Sequence, residues 1–135
     1  MTALNVVYEK KGTVNANELS ELFKKSGINR PYEDLDRMQR MIENSDMLVT
    51  ARIDGQLVGI ARSLTDYSYC CYLSDLAVDK KYQKMGIGKE MVHRTREQLS
   101  EEVSLILLSA ETALNYYPKI GFDRVDNAFV IKRKR

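Results

Sequence analysis

Two glycines one residue apart stand between a strand-like segment and a helix-like segment, in VDKKYQKMGIGKEMV (residues 78–92). Glycine at such a junction serves one of two purposes. It adopts the left-handed backbone angles that a tight turn requires, and it leaves room around the free N–H groups at a helix start, which bind anions such as phosphate. The first chemistry that the sequence suggests is therefore phosphate binding.

Three phosphate-binding patterns compete for this segment. A Walker loop ends in Ser or Thr where this chain has Glu90, and a dinucleotide fingerprint has a third glycine where this chain has Met91. The third pattern, Gln/Arg-x-x-Gly-x-Gly/Ala, is met by Gln83, Gly86 and Gly88, and it binds the pyrophosphate of coenzyme A. Four lysines surround the loop and are candidates for the ribose phosphate, although exposed lysines are commonly just solvated: Lys80, Lys81, Lys84 and Lys89.

A second group with chemical potential lies downstream, in ALNYYPKIGF (residues 113–122). With this segment, the sequence resembles the GNAT superfamily of acyl-CoA-dependent N-acetyltransferases. The family's first signature, V-x-x-x-x-Q/R-x-x-G-x-G/A, is matched from Val78 to Gly88. Its second, A-x-x-F/Y-Y-x-K-x-G-F, is matched by Ala113, Tyr116, Tyr117, Lys119, Gly121 and Phe122. One departure is Ala110, where many members carry a cofactor-contacting asparagine.

The elements that must position these segments follow from apolar periodicity and turn residues. A first strand is predicted over Ala3–Glu9, and Asn15 with Glu18 predicts a capping box before a helix that Gly27 ends. Asp54-Gly55 predicts a hairpin. The predicted order is β-α-α-β-β-β-α-β-α-β-β, with a short helix over 113–119 and two final strands, Phe122–Val125 and Ala128–Lys132. The fold class is α/β (α+β-like). The resemblance implies the GNAT fold, a mixed sheet with a splayed pair of parallel strands in a single domain, 1–135.

The resemblance also implies a site for acetyl-CoA as cosubstrate. The loop that would hold the pyrophosphate comprises Gln83, Lys84, Met85, Gly86, Ile87, Gly88 and Lys89. The strand before it would offer unpaired backbone groups to the pantetheine arm, at Leu76, Ala77 and Val78. Tyr117 falls on the general-acid position, where a phenol with a pKa of about 10 donates a proton to the leaving thiolate; a packing role is the alternative.

The general base is less well defined by the sequence. Asp75 interrupts an apolar strand beside the expected groove, and it either deprotonates the incoming ammonium or pairs with an arginine such as Arg62. Glu111 and Asp66 are rivals. His93 lies on the next helix and is expected at the surface. Direct transfer in a ternary complex is expected, with an acyl-cysteine at Cys70 or Cys71 as the minor alternative.

Composition limits the other classes of function. The chain has 135 residues, 44% hydrophobic and 30% charged, with a net charge of +2, as is typical of a globular domain. We expect neither nucleic acid nor a membrane as a partner, no metal, and no secretion signal in MTALNVVYEKKG. The adjacent cysteines favour a reducing, cytoplasmic setting. The acceptor is expected to be a small-molecule or peptidyl amine, a homodimer is possible, and the alternative function is a non-catalytic acyl-CoA-binding or regulatory module.

Overall fold

The computed structural model describes residues 4–135 and contains one five-stranded sheet covered by helices on both faces. The strands are β1 (Val6–Glu9), β2 (Met47–Ile53), β3 (Gln56–Thr65), β4 (Cys70–Val78) and β5 (Ser104–Ile106). The helices are α1 (Ala16–Ser26), α2 (Leu35–Glu43) and α3 (Ile87–Glu97). The mixed α/β class is confirmed. The predicted first strand began at Ala3, which lies outside the described residues.

The sheet follows chain order, β1-β2-β3-β4-β5. Its first four strands are antiparallel, and β4 and β5 are parallel. The hairpin predicted at Asp54-Gly55 is confirmed, because Ile53 pairs with Gln56 and both turn residues have positive φ angles, 50° and 80°. Such angles match the twist of the flanking strands.

Helix α1 begins and ends where the sequence predicts. The Asn15 side chain accepts a hydrogen bond from the Glu18 amide, and the Glu18 side chain accepts one from the Asn15 amide, which completes the capping box. Gly27 ends the helix with a left-handed φ of 80°. Leu19, Leu22 and Phe23 are buried on one face, as expected for apolar residues at helical spacing.

The core forms two layers. On one face, α1 and α2 cover a cluster that includes Phe23, Met38 and Ile60. On the other, Met91 and Val92 of α3 pack against the sheet. Strand β4 lies between both layers, and it therefore carries side chains to both helical faces.

A β-bulge at Ser74 changes which face each β4 residue occupies. Arg62 pairs with Asp75 and the next residue of β3, Ser63, pairs with Leu73, so Ser74 has no cross-strand partner on β3. Leu73 and Leu76 both join the α3 layer, whereas Ala77 joins the α1–α2 layer. An extra residue of this kind bends the strand and increases its twist.

The C-terminal part differs from the prediction. The helix predicted over 113–119 is two short 3₁₀ turns, Glu111–Ala113 and Tyr117–Ile120. The two predicted strands, Phe122–Val125 and Ala128–Lys132, do not form, and Phe129 and Ile131 are fully exposed. A strand needs hydrogen bonds to a neighbouring strand, and neither segment pairs with the outer edge of β5, which ends the sheet. Within the described residues, no helix is both long and apolar enough to cross a membrane.

Candidate active site

Hydrogen bonds hold the segment that leads into the glycine loop and the first residue of the loop. Asp79 caps a 3₁₀ turn, Lys80–Tyr82, by accepting a 3.0 Å hydrogen bond from the Lys81 amide. The Gln83 side chain donates to the Val78 carbonyl (2.9 Å) and to the Ser26 carbonyl at the end of α1 (3.3 Å). Gln83 therefore ties the loop to the end of β4 and to α1.

The second half of the loop exposes the start of α3. Lys84 and Gly86 have left-handed φ angles of 68° and 83°, and a Cβ on Gly86 would meet no atom within 4 Å. The first helical bond joins the Glu90 amide to the Gly86 carbonyl at 3.0 Å. The amides before it, from Ile87 to Lys89, have no intrahelical acceptor, and they lie at the positive end of the helix dipole. This arrangement fits an anion.

The structure shows why position 88 requires glycine, a reason that the sequence did not reveal. A Cβ at this position would lie 2.9 Å from the hydroxyl oxygen of Tyr116 and 3.9 Å from a methyl carbon of Leu76. We read both glycines from the sequence as openings for phosphate, but in the structure Tyr116 lies against Gly88. Tyr116 is partly exposed and lies beside β4 and α3.

Strand β4 has an unpaired edge next to this loop. It pairs with β3 from Cys71 to Val78, but with β5 only over Cys70–Tyr72. The predicted splay of the two parallel strands, β4 and β5, is therefore present. The strands separate just before the bulge at Ser74. Beyond Ser74, the edge of β4 that faces β5 has no strand partner among residues 4–135. The predicted pantetheine-binding residues, Leu76–Val78, lie on this edge.

Tyr117 is linked to the glycine loop through its neighbour. Its ring packs edge-on against Tyr116 (centroids 5.2 Å apart) and against Phe122 (5.6 Å). Its phenol makes no hydrogen bond to the described part of the chain. Burial, and to a smaller extent Tyr116, raises the pKa of Tyr117, while the positive charge of Arg30 opposes the rise. The phenol therefore stays protonated at neutral pH, as a proton donor must.

Asp75 is held by two arginines. Its side chain is fully buried; Oδ1 accepts a 2.5 Å hydrogen bond from Arg30 Nε, and Oδ2 accepts one from Arg62 Nε. Both carboxylate oxygens are thus occupied. The sequence offered a base or an ion pair with Arg62, and the geometry supports the ion pair, extended to a second arginine.

The other predicted candidates lie elsewhere or have structural roles. Asp66 Oδ1 accepts hydrogen bonds from three backbone amides, of Ser68, Tyr69 and Cys70, which lower its pKa and close the β3–β4 turn. His93 is exposed and 3.4 Å from Glu97. Glu111 begins a 3₁₀ turn, Ala110 precedes it, and both are exposed. Cys70 is exposed, and burial raises the pKa of Cys71. In the described part of the chain, no cluster of His, Cys, Asp and Glu is suited to hold a metal ion.

Sequence reasoning missed Arg30 as well as Tyr116. Arg30 lies in the segment between α1 and α2 and contacts β4 across 45 positions of sequence. An isolated charged residue in a loop carries no periodicity, so nothing in the sequence pointed to it. A clue existed for Tyr116, because the aromatic pair it forms with Tyr117 lies within the second signature.

A family model described as an acetyltransferase (GNAT) domain matches residues 19–133. Among curated proteins, an uncharacterized N-acetyltransferase, ycf52, from Pyropia yezoensis is 29% identical over 116 residues; the match covers 81% of this chain and 65% of that protein. The chain therefore spans just under two thirds of that relative's length.

Solved structures share the fold. A Staphylococcus aureus protein described as a probable acetyltransferase of unknown function superposes with a TM-score of 0.78 at 20% identity, covering 97% of this chain and all of that chain. An aminoglycoside N-acetyltransferase in complex with CoA superposes with a TM-score of 0.70 at 12% identity, covering 99% and 98%. At these identities the likeness concerns the fold.

Proposed function

The chain belongs to the GNAT acetyltransferase family, and from this premise we propose that it transfers an acetyl group from acetyl-CoA to a primary amine. The observation that carries the proposal is the meeting of two features at one end of β4: an unpaired strand edge, and a helix start with free amides. Together they suit a ligand that is anionic at one end and amide-rich along its arm.

The residues present fit acetyl-CoA, which would supply an acetyl thioester. The amides of Ile87–Lys89 would hold its pyrophosphate, and the left-handed Gly86 leaves open space beside them. Leu76–Val78 would pair with the amide groups of the pantetheine arm, as one strand adds to another. Hydrogen bonds of this kind contribute about 0.5–1.5 kcal/mol each.

In the proposed mechanism, transfer is direct, within a ternary complex. A backbone amide at or near Val78 donates a hydrogen bond to the carbonyl oxygen and stabilises the charge that develops there. The amine nitrogen forms the new C–N bond and releases one proton to solvent water as the C–S bond breaks. Tyr117 donates its proton to the departing sulfur and regains one from solvent afterwards. A pKa raised by burial keeps this proton in place until the thiolate forms.

Asp75 is held in an ion pair and does not act as the base in this mechanism. Arg30 and Arg62 engage both of its oxygens, so the proton of an incoming ammonium would pass to solvent water before the attack. A free-base amine is required in either route, because only the unprotonated nitrogen carries a lone pair. The rate should therefore rise with pH towards the pKa of the acceptor amine.

The acceptor is proposed to be a small-molecule or peptidyl amine. One solved structure with the same fold is described as an aminoglycoside acetyltransferase, which supports the inclusion of amino sugars among candidates. A suitable panel contains an aminoglycoside, a polyamine, an arylalkylamine and a peptide with a free N-terminus.

The test has two stages. Acetyl-CoA at 100 times its dissociation constant should stabilise the chain by about 2.7 kcal/mol, which raises the melting temperature. Thiol release from acetyl-CoA is then measured over the amine panel. The absence of stabilisation by either acetyl-CoA or CoA would contradict the proposal.

The alternative is a non-catalytic acyl-CoA-binding or regulatory module. One observation favours it: both oxygens of Asp75 are occupied, so this predicted base is not free. The two functions separate in the same assay. Intact CoA binding with no thiol release for any amine would support the module, whereas turnover that falls in Tyr117→Phe would support the enzyme.

Assembly and location also enter as proposals. A homodimer is supported by the exposed apolar side chains of Phe129 and Ile131, and light scattering after size-exclusion chromatography tests it. A reducing, cytoplasmic location is supported by the free thiols of Cys70 and Cys71, and cell fractionation tests it. No nucleic acid, membrane or metal takes part in the proposed reaction.

A further inference from the structure

The buried cluster Arg30–Asp75–Arg62 is unusual in its charge. Asp75 is fully buried, the Arg62 side chain is 8% exposed, and Arg30 adds a second positive charge. Burying charges costs several kcal/mol per ion, which is offset only by close geometry and additional hydrogen bonds. Such a network fixes one particular arrangement of the segments it joins.

The segment that this cluster fixes is the bulge of β4. Arg30 Nη2 donates a 2.7 Å hydrogen bond to the Ser74 carbonyl, and Arg62 Nη2 donates a 3.1 Å hydrogen bond to the Ser74 hydroxyl. Ser74 is the residue without a cross-strand partner on β3. The two arginines thus hold the backbone and the side chain of the one irregular residue in β4.

The bulge lies where β4 leaves β5. Parallel pairing ends at Tyr72, two residues before Ser74, and the unpaired edge Leu76–Val78 begins two residues after it. Because a bulge sets the local bend and twist of a strand, a shift at Ser74 changes the direction of the edge that follows.

Arg30 is the only residue of the Arg30–Asp75–Arg62 cluster that does not lie on a strand. Arg62 lies on β3 directly opposite Asp75, so sheet pairing holds it in register. Arg30 comes from the connection between α1 and α2, and its side chain is 28% exposed. Its positive charge also opposes the rise in the pKa of Tyr117 that burial causes.

We propose that Arg30 is a positioning residue for the donor site: it fixes the bulge at Ser74 and, through it, the strand edge Leu76–Val78 that receives the pantetheine arm. This inference rests on the proposed function. Loss of Arg30 should therefore weaken binding of the pantetheine arm but not of the pyrophosphate, because the glycine loop would hold the pyrophosphate independently of the cluster.

The test compares CoA with 3′-phosphoadenosine 5′-diphosphate, which lacks the pantetheine arm. Calorimetric titration gives the dissociation constants of both ligands for the wild type, Arg30→Gln and Arg30→Lys. In Arg30→Gln, CoA should bind about tenfold more weakly, as expected from the loss of one or two hydrogen bonds along the arm. The nucleotide should bind as it does to the wild type. Arg30→Lys keeps the charge but not the two-point contact, and should show the same split.

Arg52→Gln is the matched control. Arg52 forms a two-point ion pair with Glu18, at 2.7 and 3.1 Å, and that pair lies away from β4. The control should retain wild-type affinity for both ligands. Equal weakening of both ligands in Arg30→Gln and Arg30→Lys, or weakening of neither, would overturn the inference. A wild type that binds neither ligand would overturn the proposed function and the inference with it.

Discussion

Replacing Gly86 by alanine tests the glycine loop, because the residue combines a left-handed φ of 83° with open space around the position of a Cβ. The cost to stability is therefore conformational, about 1–2 kcal/mol for a residue with a side chain. For a domain of this size, that lowers the melting temperature by roughly 3–6 °C.

The effect on CoA binding should be larger than this. If alanine keeps the left-handed angle, its methyl group enters the open space beside the amides of Ile87–Lys89. If the backbone relaxes, those amides turn away. Either change removes one or more hydrogen bonds to a charged group, about 1.5–3 kcal/mol each, so CoA affinity should fall about tenfold to a hundredfold.

Gly55→Ala is the matched control. Gly55 has a φ of 80°, and its Cβ would also meet nothing within 4 Å, but it lies in the hairpin between β2 and β3. Both variants should lose the same stability in thermal melts, and only Gly86→Ala should lose CoA affinity by titration. Wild-type affinity in Gly86→Ala would refute the reasoning about the loop.

Tyr117→Phe should lower kcat by about 10²–10⁴ and leave CoA affinity unchanged, whereas the control Tyr116→Phe should keep kcat near the wild-type value. Because the pKa of Tyr117 is raised, kcat of the wild type should show no alkaline decline below pH 10. Gly88→Ala places a Cβ 2.9 Å from the Tyr116 hydroxyl, so a double-mutant cycle with Tyr116→Phe should show a coupling energy of at least about 0.5 kcal/mol; additive effects would contradict the contact. The pKa of Asp66 is lowered by three backbone hydrogen bonds, so its stabilising effect is complete above the unfolded pKa of about 3.9 and is lost as the pH falls through the lower folded value. Melts from pH 2 to 7 should therefore show the wild type and Asp66→Ala converging only in acid.

Features set by adjacent residues were predictable from the sequence. The capping box of Asn15 and Glu18 and the turn at Asp54-Gly55 depend on residues within three positions of each other. The loop Gln83–Lys89 was predictable for the same reason, since its geometry follows from glycine conformation and a helix start.

Features that depend on distant partners were not predictable. Counting alternate residues along β4 fails at Ser74, because the bulge moves every later side chain to the other face. The contact between Arg30 and Asp75 joins residues 45 positions apart. The segments Phe122–Val125 and Ala128–Lys132 have a strand pattern, but a strand forms only when the segment pairs with another strand, and neither segment pairs with the edge strand β5.

A structure with bound CoA would test the central claim most directly, namely that the glycine loop and the free edge of β4 form one donor site. We expect pyrophosphate oxygens within hydrogen-bond distance of the amides of Ile87–Lys89. We also expect the pantetheine arm to pair with Leu76–Val78, with its sulfur near the Tyr117 hydroxyl. CoA bound elsewhere, for instance in the 1290 Å³ cavity between α3, β5 and the C-terminal segment, would contradict the account.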